Sequence, residues 1–229
     1  MARLARTVVP GLPHHVTQRG NGRQQVFFTD DDYRLYRRLL GEACRAAGVA
    51  AWAWVLMPNH VHLILVPETA DGLSRALARV HRAYAGAVHA RLRRTGHFWQ
   101  GRFGAVALDE AHLAAALRYV FLNPVRARLV ERAAEWPWSS LHAHRGAADS
   151  VTDTAPVEAR FPGLRGLLAP DEADAAAHTA LRRAETIGRP LGDPAFIARI
   201  EAQLGRPLAP RKRGPKPKDA ERELSGVSP

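Results

Sequence analysis

Cysteine is nearly absent from this 229-residue chain: Cys44 stands alone. One thiol makes no intramolecular disulfide and no thiolate metal site, so disulfide scaffolds and cysteine-ligated zinc folds are excluded. Long apolar runs are also missing. The longest, Val49 to Met57, is far too short to span a bilayer. Pro10 and Pro13 interrupt any apolar stretch behind Arg3 and Arg6 that would serve as a leader. No membrane partner is expected, and the cytoplasm is the expected location. Lysine is confined to three positions near one end, Lys212, Lys216 and Lys218. Acids are outnumbered, 22 against 33 lysines and arginines, for a formal charge of +11 and a pI near 11. Such a surplus favours a polyanionic partner, nucleic acid before membrane. Compositional bias toward arginine and alanine would produce a similar surplus.

What is present is ordered in short, well-punctuated segments. His14 to Arg19 reads as a strand running into the turn Gly20-Asn21-Gly22. Asp30, Asp31 and Asp32 offer a helix cap before Tyr33, Tyr36, Leu39, Leu40 and Ala43 at helical spacing, with Gly48 as the stop. Two β-prone runs, Val49 to Met57 and His60 to Val66, flank Pro58-Asn59 and predict a hairpin. A long helix is expected from Asp71 to Arg94, with Arg75, Arg79, Arg82 and Arg93 off its apolar stripe. Phe98 to Leu108 has mixed strand character. Asp109 then caps a helix expected to end where Pro124 follows Asn123.

This order of strand, helix, hairpin, helix, strand and helix predicts an α+β fold, a ferredoxin-like antiparallel sheet with helices on one face. The catalytic unit is expected over residues 1–145 and a linker over 146–156. A small helical accessory region follows over 157–205, with helices from Asp171 to Arg183 and from Asp193-Pro194 to Gly205. A disordered basic tail is expected over 206–229. Arg206 to Lys218 carries Arg206, Arg211, Lys212, Arg213, Lys216 and Lys218 with no acid, and prolines at 210, 215 and 217 favour an extended run.

His60 and His62 alternate on one strand, so both imidazoles share a face while Val61 takes the other. Two imidazoles so close can chelate a metal ion, or simply hydrogen-bond to each other. Tyr119 lies off the stripe of Leu113, Leu117, Val120 and Phe121, with Asn123 one turn later beside it. Together these residues make a coherent phosphodiester-cleaving set. A divalent metal would polarise a phosphate oxygen, the tyrosine oxygen would attack phosphorus, and the Asn123 carbonyl would complete the metal shell. Mixed nitrogen and oxygen donors do not choose the metal; Mg²⁺ or Mn²⁺ is expected. The arginines expected to contact DNA are Arg19, Arg75, Arg79, Arg82, Arg102, Arg126, Arg211 and Arg213, joined by Lys212, Lys216 and Lys218. Trp99, Trp136 and Trp138 suit either stacking on unpaired bases or a place in the core.

Met57 to Ile64 (MPNHVHLI) resembles the His-hydrophobic-His signature of HUH endonucleases, and Arg118 to Ala127 (RYVFLNPVRA) resembles the nucleophile helix of single-tyrosine transposases. Phe98 to Phe103 (FWQGRF) and Trp136 to Ser140 (WPWSS) are similar to segments of REP-associated tyrosine transposases. These are relatives of insertion-sequence transposases linked to repetitive extragenic palindromes. The resemblance covers residues 8 to about 145, and Gly188 to Lys218 is similar to the C-terminal extension of some members. It implies a ferredoxin-like catalytic domain that binds hairpins in single-stranded DNA, with a 5′-phosphotyrosine intermediate and a free 3′-hydroxyl. Residue by residue, it makes Tyr119 the nucleophile and His60 and His62 the metal ligands. Asn123 stands where relatives place a third ligand, often glutamine, one methylene longer.

Two other functions share the charge pattern: a non-catalytic DNA-binding regulator, and a metal-dependent hydrolase that attacks with water. The first leaves the coexistence of His60, His62 and Tyr119 unexplained, and the second makes Tyr119 dispensable. Monomer and homodimer both remain open at this point.

Overall fold

The computed structural model describes residues 6–169 and 174–208. Strands β1 (His14–Arg19), β2 (Val49–Met57), β3 (His60–Pro67) and β4 (Gly104–Ala107) form one antiparallel sheet in the order β2-β3-β1-β4. Helix α1 (Asp30–Ala47) connects β1 to β2, and α2 (Gly72–Leu92) connects β3 to β4. This is the ferredoxin-like α+β topology that the element order predicts.

The cap of α1 is Thr29, one residue ahead of the aspartates. Asp32 reaches back to accept from the backbone N–H groups of Phe28 (2.8 Å) and Thr29 (3.1 Å), completing a capping box. Gly48 ends the helix in the left-handed conformation (φ 63°, ψ 52°), which a side chain would resist. Helices α1 and α2 pack on the face formed by Val16, Val61, Leu63 and Leu65.

Helices on one face describe α1 and α2; α3 (Glu110–Arg126) covers the other, packing on Val55, Met57, Ile64 and Val106. The reason is legible in β3. Val61, Leu63 and Leu65 alternate with His62, Ile64 and Val66, so both faces of the strand need cover. Helix α3 also runs past its expected stop. Pro124 lacks only its own N–H, while Ala127 still donates to the Asn123 carbonyl (2.9 Å) and Leu129 to that of Pro124 (3.0 Å).

Both sheet edges are covered. Along β2, in the segment expected to be a linker, Thr152 bridges Ala51, and the Trp54 indole N–H donates to the Thr152 hydroxyl (2.9 Å). Along β4, the Leu191 N–H donates to the Ala107 carbonyl (2.8 Å). Helices α4 (Leu141–His144), α5 (Ala155–Arg160), α6 (Asp174–Ile187) and α7 (Pro194–Leu204) complete the described chain. Leu141, Val157, Leu181 and Ala184 join the α3-side core, and Phe196 and Ile200 of α7 pack on Val9 and Ala107. Asp193 caps α7 by accepting from Phe196 N–H (2.7 Å), as its Asp-Pro start suggested. Among the described residues, no helix is long and apolar enough to cross a membrane.

Candidate active site

The register of β1 against β3 sets Thr17 opposite His62 and Arg19 opposite His60. The two imidazoles therefore project from the α3 face, while Val61 is buried among the core residues of the other. Their ring centres are 4.9 Å apart, with the planes nearly perpendicular.

Each histidine is held at Nδ1. Asn59 donates its amide N–H to the Arg23 carbonyl (3.0 Å), which turns its Oδ1 toward His60; His60 Nδ1–H then donates to that oxygen at 2.6 Å. The Nε2 of His60 is left with its lone pair. His62 is 2% exposed, and its Nδ1 lies 3.0 Å from Nε2 of His15, an imidazole nearly parallel to it with ring centres 5.1 Å apart. The His62 Nε2 is buried and has no hydrogen-bond partner among the described residues.

Burial depresses the pKa of His60 to about 4, helped by the nearby Arg19 charge. Burial, then the neighbouring His60, His15, Arg19 and Arg126, hold His62 well below the usual imidazole value. Both are neutral at neutral pH, so no proton competes for their lone pairs. Two neutral imidazoles on one face, one with an orphaned Nε2, fit a divalent cation. No group of three His, Cys, Asp or Glu with metal-binding potential occurs among the described residues. Further donors would thus come from amide, phosphate or water oxygen.

Helix α3 carries Tyr119 to this face, its ring 5.0 Å from His62 and 5.8 Å from His15, edge-on to both. Tyr119 is 7% exposed, so it does not occupy a face that the core leaves open. The apolar stripe of α3 accounts for the sheet side only; α6 covers a second side. His178 of α6 stands 4.9 Å from the tyrosine ring. Arg126 donates to His178 Nδ1 and holds its guanidinium carbon 5.1 Å above the ring of Tyr119. Asn123 is buried one turn beyond Tyr119, but its amide makes no hydrogen bond to either histidine among the described residues.

The expected DNA contacts separate. Arg19 is exposed opposite His60, and its carbonyl accepts from the Gln100 N–H (2.9 Å), two residues before the exposed Arg102. Arg75, Arg79 and Arg82 are exposed on α2, across the sheet from Tyr119, and Arg75 pairs with Asp71 at 3.4 Å. Arg211, Lys212, Arg213, Lys216 and Lys218 lie outside the described residues. The tryptophans belong to the core. Trp99 donates to the His81 carbonyl and Trp136 to that of Leu56, both at 3.0 Å, while Trp138 stacks on Tyr33 at 4.7 Å.

The family model described as "Transposase IS200 like" matches residues 8–122, from ahead of β1 to one residue short of Asn123. The chain belongs to the IS200-like transposase family. It is 28% identical over 127 residues to the REP-associated tyrosine transposase of Escherichia coli strain K12, covering 53% of this chain and 71% of that one. A Haemophilus influenzae protein described as of the same kind is 27% identical over 118 residues, covering 47% and 67%. A solved structure of a REP-associated tyrosine transposase bound to a REP hairpin shares the fold. It superimposes with a TM-score of 0.55 at 24% identity, over 67% of this chain and 93% of that one. For this IS200-like transposase, His60, His62 and Tyr119 all fall within the matched segment. The sequence singled out these three but missed Asn59 and His15. Both have a sequence signal: Asn59 adjoins His60, and His15 shares the alternating face of Thr17 and Arg19.

Proposed function

We propose that this transposase binds hairpin-forming single-stranded DNA and cuts beside the hairpin through a covalent link to Tyr119. One observation carries the proposal: a tyrosine ring 5.0 Å from a buried histidine whose Nε2 has no partner among the described residues, itself 4.9 Å from a second histidine of the same face. The hairpin-bound relative supports the choice of DNA.

His60 and His62 would hold a divalent cation, Mg²⁺ or Mn²⁺, through their Nε2 atoms, and Asn123, the one carboxamide side chain of the helix that carries Tyr119, would add an oxygen. When bound, the cation stabilises negative charge on the scissile phosphate. Tyr119 forms a bond from its phenolic oxygen to phosphorus as the bond to the 3′-oxygen breaks. The phenol gives up a proton, the 3′-oxygen gains one, and a 5′-phosphotyrosine remains. Arg126 would hold its positive charge above the ring of the attacking tyrosine. Arg19 and Arg102 lie close enough to the site to hold flanking phosphates, and the basic run from Arg211 to Lys218 adds sequence-independent affinity.

The test is incubation of labelled single-stranded DNA, carrying a hairpin from beside its own gene, with the protein and Mn²⁺, followed by a denaturing protein gel. A covalent protein–DNA band that vanishes with excess chelator, or in a His60→Ala/His62→Ala variant, is expected. Hairpin binding should persist within a few-fold. Cleavage without any covalent band would assign attack to water, and binding without cleavage would make the protein a DNA-binding regulator.

A further inference from the structure

We propose that His15 is a positioning residue that turns His62 into a metal ligand. The inference rests on the assignment of His60 and His62 as ligands and concerns how the second is made competent.

An imidazole can offer Nε2 to a cation only if its proton sits on Nδ1. For His60 that condition is met by Asn59, whose oxygen can only accept. His62 has no such carboxamide. Its Nδ1 has Nε2 of His15 at 3.0 Å, the two rings lying within 10° of parallel. For His62 to present Nε2, its Nδ1–H must donate and His15 must receive on an unprotonated Nε2, carrying its own proton on Nδ1. The opposite arrangement, His15 Nε2–H donating to His62 Nδ1, has the same heavy-atom geometry but puts a proton on His62 Nε2 and blocks the metal.

His15 is built to stay in place. It is fully buried on β1, between Ile64 of β3 and Val106 of β4, so its ring cannot swing away. An imidazole at the centre of a sheet face is costly unless its polar atoms serve a purpose, and an aliphatic side chain would pack there without that cost. Metal-bound histidines characteristically have such a partner on the second nitrogen, and its removal weakens metal binding by roughly 10–100-fold.

Mn²⁺ affinity should be measured by calorimetry on the full chain, together with melting temperature and hairpin affinity, for the wild type, His15→Phe, His15→Gln and His60→Ala/His62→Ala. Phenylalanine keeps a flat ring at this position but cannot accept from His62, whereas the glutamine oxygen can. Expected are a roughly 10–100-fold loss of Mn²⁺ affinity in His15→Phe, partial recovery in His15→Gln, and hairpin binding unchanged in both. Wild-type affinity in folded His15→Phe, with binding lost in the double-histidine variant, overturns the role of His15 alone. Wild-type affinity in the double-histidine variant overturns the ligand assignment and the inference with it. Should His15→Phe fail to fold, nitrogen NMR of the wild type with Zn²⁺ as a diamagnetic probe decides. Protons on Nδ1 of both His15 and His62 support the proposal, and a proton on His15 Nε2 overturns it.

Discussion

Both faces of the sheet bury a tyrosine against a histidine, and the two pairs are finished differently. On the α1/α2 face the Tyr36 hydroxyl and His81 Nε2 are 3.0 Å apart, and the neighbouring Tyr84 hydroxyl donates to the Val26 carbonyl at 2.7 Å. Burial pushes both of those phenols far above the usual tyrosine pKa. On the α3 face Tyr119 meets His62 edge-on, and the buried Nε2 of His62 has no partner among the described residues. Residue type and burial alone do not distinguish the two pairs. Under the proposed chemistry the difference is at the histidine: His81 Nε2 is used by a tyrosine hydroxyl, whereas His62 Nε2 is left for a ligand among the described residues.

The largest expected effects exchange roles between the two tyrosines. Tyr119→Phe should abolish covalent adduct formation while keeping the ring packed on His62, with hairpin binding within a few-fold of wild type. Tyr36→Phe should leave the adduct intact but lower stability by about 1–3 kcal/mol, because His81 Nε2 loses its partner in the core. Adduct yield and a denaturation curve on each variant check both; an adduct lost in Tyr36→Phe at a temperature where it is folded would break the comparison.

A smaller effect lies in the clasp of the α1/α2 face. Burial works against the Asp32 carboxylate, but hydrogen bonds from Arg91 (2.8 Å) and from the N–H groups of Phe28 and Thr29 outweigh it and hold its pKa below the usual carboxylate range. A depressed folded-state pKa contributes stability above the unfolded value, and that contribution fades as pH falls through the folded one. Asp32→Asn should therefore melt lower than wild type at pH 7, by about 1–2 kcal/mol given the exposure of Arg91, and the gap should close in strong acid. A gap that stays constant from pH 7 to acid would remove the carboxylate's charge from the explanation. Adduct formation at neutral pH should be unaffected in the folded variant.

The smallest effect concerns the outer surface of α2. If the α1/α2 face touches the DNA at all, Arg79→Ala and Arg82→Ala should each reduce the slope of log affinity against log salt by about 0.7, with no change in adduct rate at saturating DNA. Unchanged slopes would confine DNA to the other side of the sheet.

These elements were legible because their punctuation is strong: Gly48, Pro58-Asn59 and Asp193-Pro194 fall at the boundaries that the structure shows. Alternation on β3 likewise placed His60 and His62 together. Burial of Tyr119 was not legible, since a helical wheel records one stripe, whereas α3 is enclosed by the sheet and by α6, about fifty residues further along the chain. Pro124 misled because the cost of proline was read at the helix interior, while here it sits in the final turn. Alternation along β1 puts His15 on the same face as Thr17 and Arg19, but its pairing with His62 depends on the register between β1 and β3, which a sequence read segment by segment does not contain.

The most direct test of the chemistry on the α3 face is to trap the covalent adduct, digest it with trypsin and locate the nucleotide by mass spectrometry. The chain has four tyrosines, Tyr33, Tyr36, Tyr84 and Tyr119, and cleavage after Arg118 and Arg126 isolates Tyr119 from the rest. The expected result is a nucleotide mass on the Tyr119 peptide alone. A nucleotide on the Tyr33, Tyr36 or Tyr84 peptide would move the chemistry to the opposite face of the sheet and contradict the account.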